Sequence, residues 1–333
     1  MRVTITGGGG FLGQRVARRL AQAGHLGGRP ITGLTLFDIA APPAPAASFP
    51  VAAIAGDVAD LPPAVIPPGT DVVLHLAAVV SAAAEADYEL GRRVNLRGTD
   101  AVVDACRRLG RAPRLVFTSS VASFSAGPGE VVGTATRQMP ANSYGAQKAA
   151  AELILADATR RGFLDAVVLR LPTVSIRPGR PNQAASSFVS SILREPLNGE
   201  EAELPVPDDF RLWIASPAHA TDWLLHAAVL DTAAMGLDRS VNPPGLTVSV
   251  GEMLVALEAA RPGAAALVRR VAAPRIEAIV ATWPARFDPA RALALGFAPH
   301  GTLEALIGEF VAETRRKNRA GGAIVQHGAI GEI

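Results

Sequence analysis

Tyr144 and Lys148 stand four residues apart in "NSYGAQKAAAELIL". On a helix, that spacing puts both side chains on one face. A lysine ammonium beside a phenol favours the phenolate and draws the tyrosine towards working pH. Such a group can take the proton of an alcohol as a hydride leaves the same carbon. Spacing alone is weak, since a surface tyrosine near a lysine is common. The companions strengthen it. This tyrosine, one of two in the chain, opens a helix shortly after "RLVFTSSVASF", a strand that ends in hydroxyls. Ser120 suits a hydrogen bond to the reacting oxygen, with Thr118 and Ser119 structural or on the cofactor side.

The hydride needs an acceptor, and "VTITGGGGFLG" offers a place for one. Gly7, Gly10 and Gly13 stand in a G-x-x-G-x-x-G frame between a strand and a helix. The first turns the chain, the second lets backbone N–H groups approach a pyrophosphate, and the third lets the helix pack on the sheet. The helix N-terminus adds unpaired donors and partial positive charge. Asp38 ends the second strand in "LTLFD", where a carboxylate accepts both ribose hydroxyls of an adenosine and repels a 2′-phosphate. Ile39, Ala40 and Ala41 follow with no arginine, so NAD is expected over NADP. Asp57 and Val58, in "AGDV", are candidates for the adenine end, with a plain turn residue the alternative for the aspartate.

The elements that must position these groups alternate along the first 170 residues. Short apolar runs at 3–6, 34–38, 51–55, 71–76, 114–118 and 166–171 read as strands, most of them apolar enough to be buried on both faces. Helical patterns lie between them at about 10–23, 88–109 and 141–161. The succession predicts an α/β fold, a doubly wound parallel Rossmann sheet with a smaller C-terminal substrate-binding lobe. Residues 1–171 form the NAD-binding domain in this reading. Residues 172–320 form mainly the second lobe, with part returning to the first, and a Gly- and Ala-rich tail follows from 321. Prolines break up 172–217; helices resume at about 217–230 and 250–260, the latter opened by Ser249 and Glu252 in capping-box spacing.

Composition narrows the class. The 333 residues are 49% hydrophobic and 19% charged, with a net charge of +2 spread along the chain. That is a globular protein without a nucleic-acid-binding patch. The single cysteine, Cys106, cannot form an internal disulfide, and it reads as helix packing. No membrane-length apolar run or signal peptide is evident, so a cytoplasmic protein is expected. The six histidines lack metal-ligand spacing; His75, inside a strand, reads as a hydrogen-bonded core residue.

These motifs together resemble the extended short-chain dehydrogenase/reductase family, also called the NAD-dependent epimerase/dehydratase family. The likeness rests on "TGGGGFLG", Asp38, "GD" at 56–57, "HLAA" at 75–78, "VNLRGT" at 94–99, "FTSS" at 117–120 and "YGAQK" at 144–148. It implies NAD as cofactor and Ser120, Tyr144 and Lys148 as the catalytic triad. It puts Phe11 and Leu12 beside the pyrophosphate. Leu76, Ala77, Ala78, Thr118 and Leu171 line the cofactor, and Asn95 lies near the nicotinamide. A homodimer is the family's usual assembly.

Departures from the family pattern narrow the reaction. The acid that follows the catalytic hydroxyl in its dehydratases is replaced by Val121 and Ala122. Pro172 and Thr173 stand where its nucleotide-sugar epimerases carry an asparagine. "LPTVSIRPGRPNQAASSF", "RLWIASP" and "ATWPARFD" are similar to a branch that oxidises the C2 hydroxyl of four-carbon sugar acids. A small carboxylate suits a planar guanidinium, and Arg177 and Arg180 stand in a Pro/Gly-bounded loop just past the sheet. Arg211 and Trp213 are candidates to close the pocket from the second lobe, and Ser81 to bind a substrate hydroxyl. A nucleotide-sugar 4-epimerase and a non-catalytic NAD sensor are the alternatives.

Overall fold

The computed structural model describes residues 1–125, 127, 129–179 and 184–327, with side chains as far as 316. Ten strands carry the architecture: β1 (Arg2–Thr6), β2 (Gly33–Asp38), β3 (Val51–Ala55), β4 (Thr70–His75), β5 (Arg114–Ser120), β6 (Asp165–Leu171), β7 (Thr173–Val174), β8 (Arg211–Ala215), β9 (Ser240–Val241) and β10 (Leu246–Ser249). Seven form one parallel sheet in the order β9-β6-β5-β4-β1-β2-β3. The order reverses at β1, so its C-terminal end and that of β4 flank a crevice, where open α/β sheets take their ligands.

Helices α1 (Phe11–Ala23), α2 (Gly98–Arg108), α3 (Ser143–Arg160) and α5 (Pro217–Val229) accompany this sheet. Val3, Ile5, Val16, Leu20, Trp223 and Leu224 share one core cluster; Val73, Leu115, Phe117, Ala151, Leu155 and Cys106 share another. Cys106 is fully buried, and burial pushes its thiol up to about 12, which suits packing and not chemistry. The strands in these clusters are apolar because both faces meet helices. β3 differs: it is the edge strand, and Ala52, Ala53 and Ala55 are exposed despite its apolar sequence.

The pattern at 88–109 is not one helix. It divides into Tyr88–Arg92, a π-helical stretch Arg93–Arg97, and α2. An insertion of this kind rotates the side chains that follow it, and it holds Asn95 inward, 2% exposed. A short helix, Ser81–Ala86, precedes it, ahead of the helical pattern the sequence shows.

The second lobe is a small sheet, with β7 parallel to β8 and β8 antiparallel to β10. It is packed by α4 (Ser187–Asn198), α6 (Val250–Ala260) and α7 (Leu303–His327) around Ile192, Leu193, Ile214, Met253, Leu257 and Leu306. Ser249 and Glu252 form the expected capping box on α6. Between the strands of this lobe, the chain returns α5 and β9 to the main sheet. The backbone of α7 continues past Gly321, where composition pointed to a tail.

Candidate active site

Four glycines turn the chain from β1 into α1. Gly7 has φ +73°, in the left-handed region, and a Cβ there would lie 2.6 Å from the Ala77 nitrogen. A Cβ on Gly13 would lie 2.2 Å from the Gly7 carbonyl oxygen. Only glycine lets β1, α1 and the end of β4 meet so closely. Gly10 caps α1 without a side-chain hydrogen bond, and no acid stands in the first turn. The opening N–H groups are therefore left to an anion. Asp38, at the end of β2, accepts the Gly9 N–H through Oδ2 at 2.9 Å and its neighbour Ile39 N–H through Oδ1 at 2.7 Å. An acid-free helix start beside a glycine turn and a half-buried carboxylate fits a dinucleotide with free ribose hydroxyls.

Beyond this cradle, a cavity of about 320 Å³ brings Gly7, Gly10, Phe11, Leu12, Gly13, Leu76, Ala78 and Thr118 together with Ser120, Tyr144, Lys148 and Leu171. Ser81 and Arg177 line it as well. Tyr144 sits in the first turn of α3, capped by Asn142, which accepts the Gly145 N–H at 2.8 Å. Gly145 lies hard against the Ala122 carbonyl, so α3 starts directly beside the Ser120 end of β5. Ser120 hydrogen-bonds the Tyr144 phenol.

The electrostatics differ from the expectation drawn from spacing. Burial pushes the Tyr144 phenol up to about 12, against the opposing pull of its Ser120 hydrogen bond. Burial likewise pushes Lys148 down to about 7, with the Glu152 carboxylate pulling it back up. Desolvation outweighs the i,i+4 pairing here because both groups lie out of water. His75 is fully buried between Thr6 and Thr99, with ring nitrogens 2.6 and 3.1 Å from their hydroxyls. Burial, aided by the Lys148 charge, pushes it down to about 3, so it stays neutral.

Other predicted residues lie outside the cavity lining. Asp57 caps a short turn by accepting the Ala59 N–H at 2.8 Å, and pairs with Arg93 at 2.9 Å; the turn reading describes its contacts. Val58 is buried against Gly98, and the half-buried Ala77 packs against Gly7. Asn95 clips both the N–H and the carbonyl of Val79 and donates to Gln147 Oε1 at 2.7 Å. Arg211 points to solvent near Glu252, and Trp213 is buried in a stack on Phe287; neither is on the cavity lining. Both stand on the face of β8 opposite Leu212 and Ile214, which take the core of the second lobe. Arg180 lies outside the described residues. Val80, Val174, Ser186 and Trp283 line the cavity without having been foreseen. They come from four separate segments, which no local pattern links.

Residues 3–213 match the NAD dependent epimerase/dehydratase family. The chain belongs to that family. D-erythronate dehydrogenase of Cupriavidus necator is 46% identical over 318 residues, covering 92% of this chain and 97% of that protein. D-erythronate dehydrogenase of Haemophilus influenzae is 40% identical over 316 residues, covering 93% of this chain and 99% of that protein. A crystal structure described as the nucleoside-diphosphate-sugar epimerase from Agrobacterium tumefaciens is similar with a TM-score of 0.87 at 43% identity, covering 92% of each chain. NAD is the cofactor of this epimerase/dehydratase chain. Among its described residues, no helix is long and apolar enough to cross a membrane.

Proposed function

We propose that the chain oxidises the C2 hydroxyl of D-erythronate to the 2-oxo acid, with NAD as the oxidant. The observation that carries this reading is the shared cavity: Tyr144, Ser120 and Lys148 line one wall region, and Arg177 lines the same space. The similarity to two D-erythronate dehydrogenases over nearly their full lengths supports the choice of substrate.

NAD, when bound, supplies the hydride acceptor and a positive ring that adds to the field favouring phenolate. Gly7, Gly10, Gly13, Phe11 and Leu12 hold its pyrophosphate, Asp38 its adenosine ribose, and Lys148 its nicotinamide ribose. Ser120 donates to the substrate C2 oxygen. Tyr144 takes the C2 hydroxyl proton as the C2–H bond breaks. Lys148, when charged, stabilises the phenolate that must exist before that transfer. Arg177 holds the substrate carboxylate, so the molecule presents C2 and not C3 or C4. Residues 172–320 serve mainly as the substrate-binding lobe, and the enzyme works in the cytoplasm as a homodimer. The buried Cys106 is in keeping with a reducing compartment.

The name carried by the Agrobacterium tumefaciens neighbour favours a second reading, a nucleotide-sugar 4-epimerase. Pro172 and Thr173 at the cavity wall oppose it, since they offer no amide side chain for a nucleotide base. Steady-state assays of short sugar acids with NAD, followed at the absorbance of reduced cofactor, test the proposal. D-erythronate must turn over best. No turnover, together with tight binding of a uridine diphosphate sugar, would replace the first reading with the second.

A further inference from the structure

Glu152 lies one turn beyond Lys148 and two beyond Tyr144 on α3, on the same helical stripe. It is 6% exposed. A carboxylate so far out of water is costly unless its oxygens are fully paired. This one is paired on every side. Arg170 donates Nε and Nη2 to Oε2 at 2.9 and 2.8 Å. Gln138 Nε2 donates to Oε1 at 3.0 Å, and the Ser119 hydroxyl donates to the same oxygen. The Arg170 guanidinium also lies over the Phe124 ring, 4.9 Å from its centre.

Those partners come from the end of β5, the end of β6 and the loop ahead of α3. Two of them adjoin the cavity: Ser119 stands on its lining directly before Ser120, and Arg170 directly precedes Leu171. Glu152 therefore sits where three walls of the site are tied together, yet it touches none of the reacting atoms. It also acts on Lys148. The groups around that lysine are Tyr144 and Glu152 on α3, the neutral His75 on β4 and the Phe117 ring on β5; Arg170 on β6 is paired to Glu152. Glu152 is the negative charge among them.

We propose that Glu152 is a positioning residue of this site: it clamps the Ser120 and Leu171 strand ends to α3, and its carboxylate, one helical turn from Lys148, favours the ammonium form of that lysine. The inference rests on the reading of Ser120, Tyr144 and Lys148 as the reacting groups. It assigns Glu152 two separable tasks, one geometric through Ser119 and one electrostatic through Lys148.

The composition supplies a direct probe, because Lys148 and Lys317 are the only two lysines. In a Lys317→Arg background with isotope-labelled lysine, nuclear magnetic resonance follows the Lys148 side chain alone as pH is varied. The parent should titrate near 7. Glu152→Gln should lower that midpoint by about 1 unit, the low end for loss of a nearby opposite charge. If Glu152→Gln strands Arg170 and unfolds the chain, Glu152→Gln/Arg170→Gln removes both charges and should lower the midpoint as well. Ser119→Ala should leave the midpoint in place while kcat for D-erythronate drops about tenfold at unchanged NAD affinity, the signature of a displaced Ser120. An unmoved Lys148 midpoint in a folded Glu152 variant overturns the electrostatic task. Parental kcat in Ser119→Ala overturns the clamp. If the parent fails to oxidise D-erythronate, the substrate reading falls, while the lysine titration still decides for or against Glu152.

Discussion

The Lys148 ammonium nitrogen lies 5.6 Å from the centre of the Tyr144 ring and 4.4 Å from that of Phe117. One face of this cation is thus covered by aromatic carbon and the other looks towards the phenol. The rings favour the ammonium, but complete burial outweighs them and leaves Lys148 easily discharged, so its contribution to folding depends on pH.

Lys148 should destabilise the free protein at neutral pH. Its folded value of about 7 lies below its ordinary 10.5. Between those two values the unfolded chain holds the proton and the folded chain does not, so stability rises with pH across that window. Below about 7 both states are protonated, and the full penalty remains. Lys148→Met should therefore melt higher than wild type at pH ~7 and converge on it near pH ~10. Thermal melts at the two pH values check this. A methionine variant that melts lower at neutral pH would show that the ammonium is stabilised where burial says it is not.

Tyr144→Phe keeps the ring and removes the proton acceptor. Turnover should fall by at least ~10²-fold, with NAD binding little changed. Lys148→Met should harm both if, as proposed, the lysine serves the phenol and the ribose. Single-turnover rates and cofactor quenching of tryptophan fluorescence separate the two effects. Near-normal turnover in Tyr144→Phe would move the proton acceptor elsewhere.

Asp38 accepts the Gly9 N–H at 2.9 Å, so its charge stands at the glycine turn where the adenosine ribose is to bind. Wild type should prefer NAD to NADP. Asp38→Ala should weaken NAD and narrow the gap, because it removes an acceptor for two hydroxyls and a repulsion of the 2′-phosphate together. The ratio of kcat/KM for the two cofactors measures this; equal use of both by wild type contradicts it.

Arg177 lines the cavity, and burial together with the neighbouring Arg194 charge pulls its guanidinium down. A carboxylate there relieves both effects. Arg177→Lys keeps charge but loses the planar two-point grip, so KM for D-erythronate should rise and kcat fall together. Erythritol, which has no carboxylate, should be a poor substrate for wild type. Arg180→Lys, assayed in parallel, assigns the grip. Wild-type kinetics in both lysine variants, or equal use of erythritol, removes the carboxylate anchor.

What the sequence made legible was local. The β1 turn and the start of α3 announce themselves because each chemical residue sits within a few positions of the element that aims it. Six of the seven strands in the main sheet follow from the apolar runs and the helical patterns between them; β9, two residues long and reached only after the second lobe begins, carries no such run. The π-helical stretch Arg93–Arg97 was not legible, since one inserted residue leaves the apolar pattern almost unchanged. An arginine and an aromatic near a predicted pocket look alike in sequence whether they face it or not; on one face of β8, Arg211 reaches solvent and Trp213 stacks on Phe287. Trp283, Ser186 and the pairing of Glu152 with Arg170 depend on segments that meet only in three dimensions.

The return of α5 and β9 to the main sheet has a consequence for synthesis on the ribosome. When residue 171 emerges, the nucleotide half has all its glycines and its tyrosine, but β6 still has a bare edge that β9 alone will cover. The face that takes Trp223 and Leu224 is also open. An unpaired strand beside uncovered apolar surface invites sticking to another chain. The nascent protein must wait some 70 residues more before its first-made half can close. A fragment ending at 171 should accordingly collect in the insoluble fraction, and a stalled ribosome carrying it should recruit chaperones that one stalled beyond 241 does not.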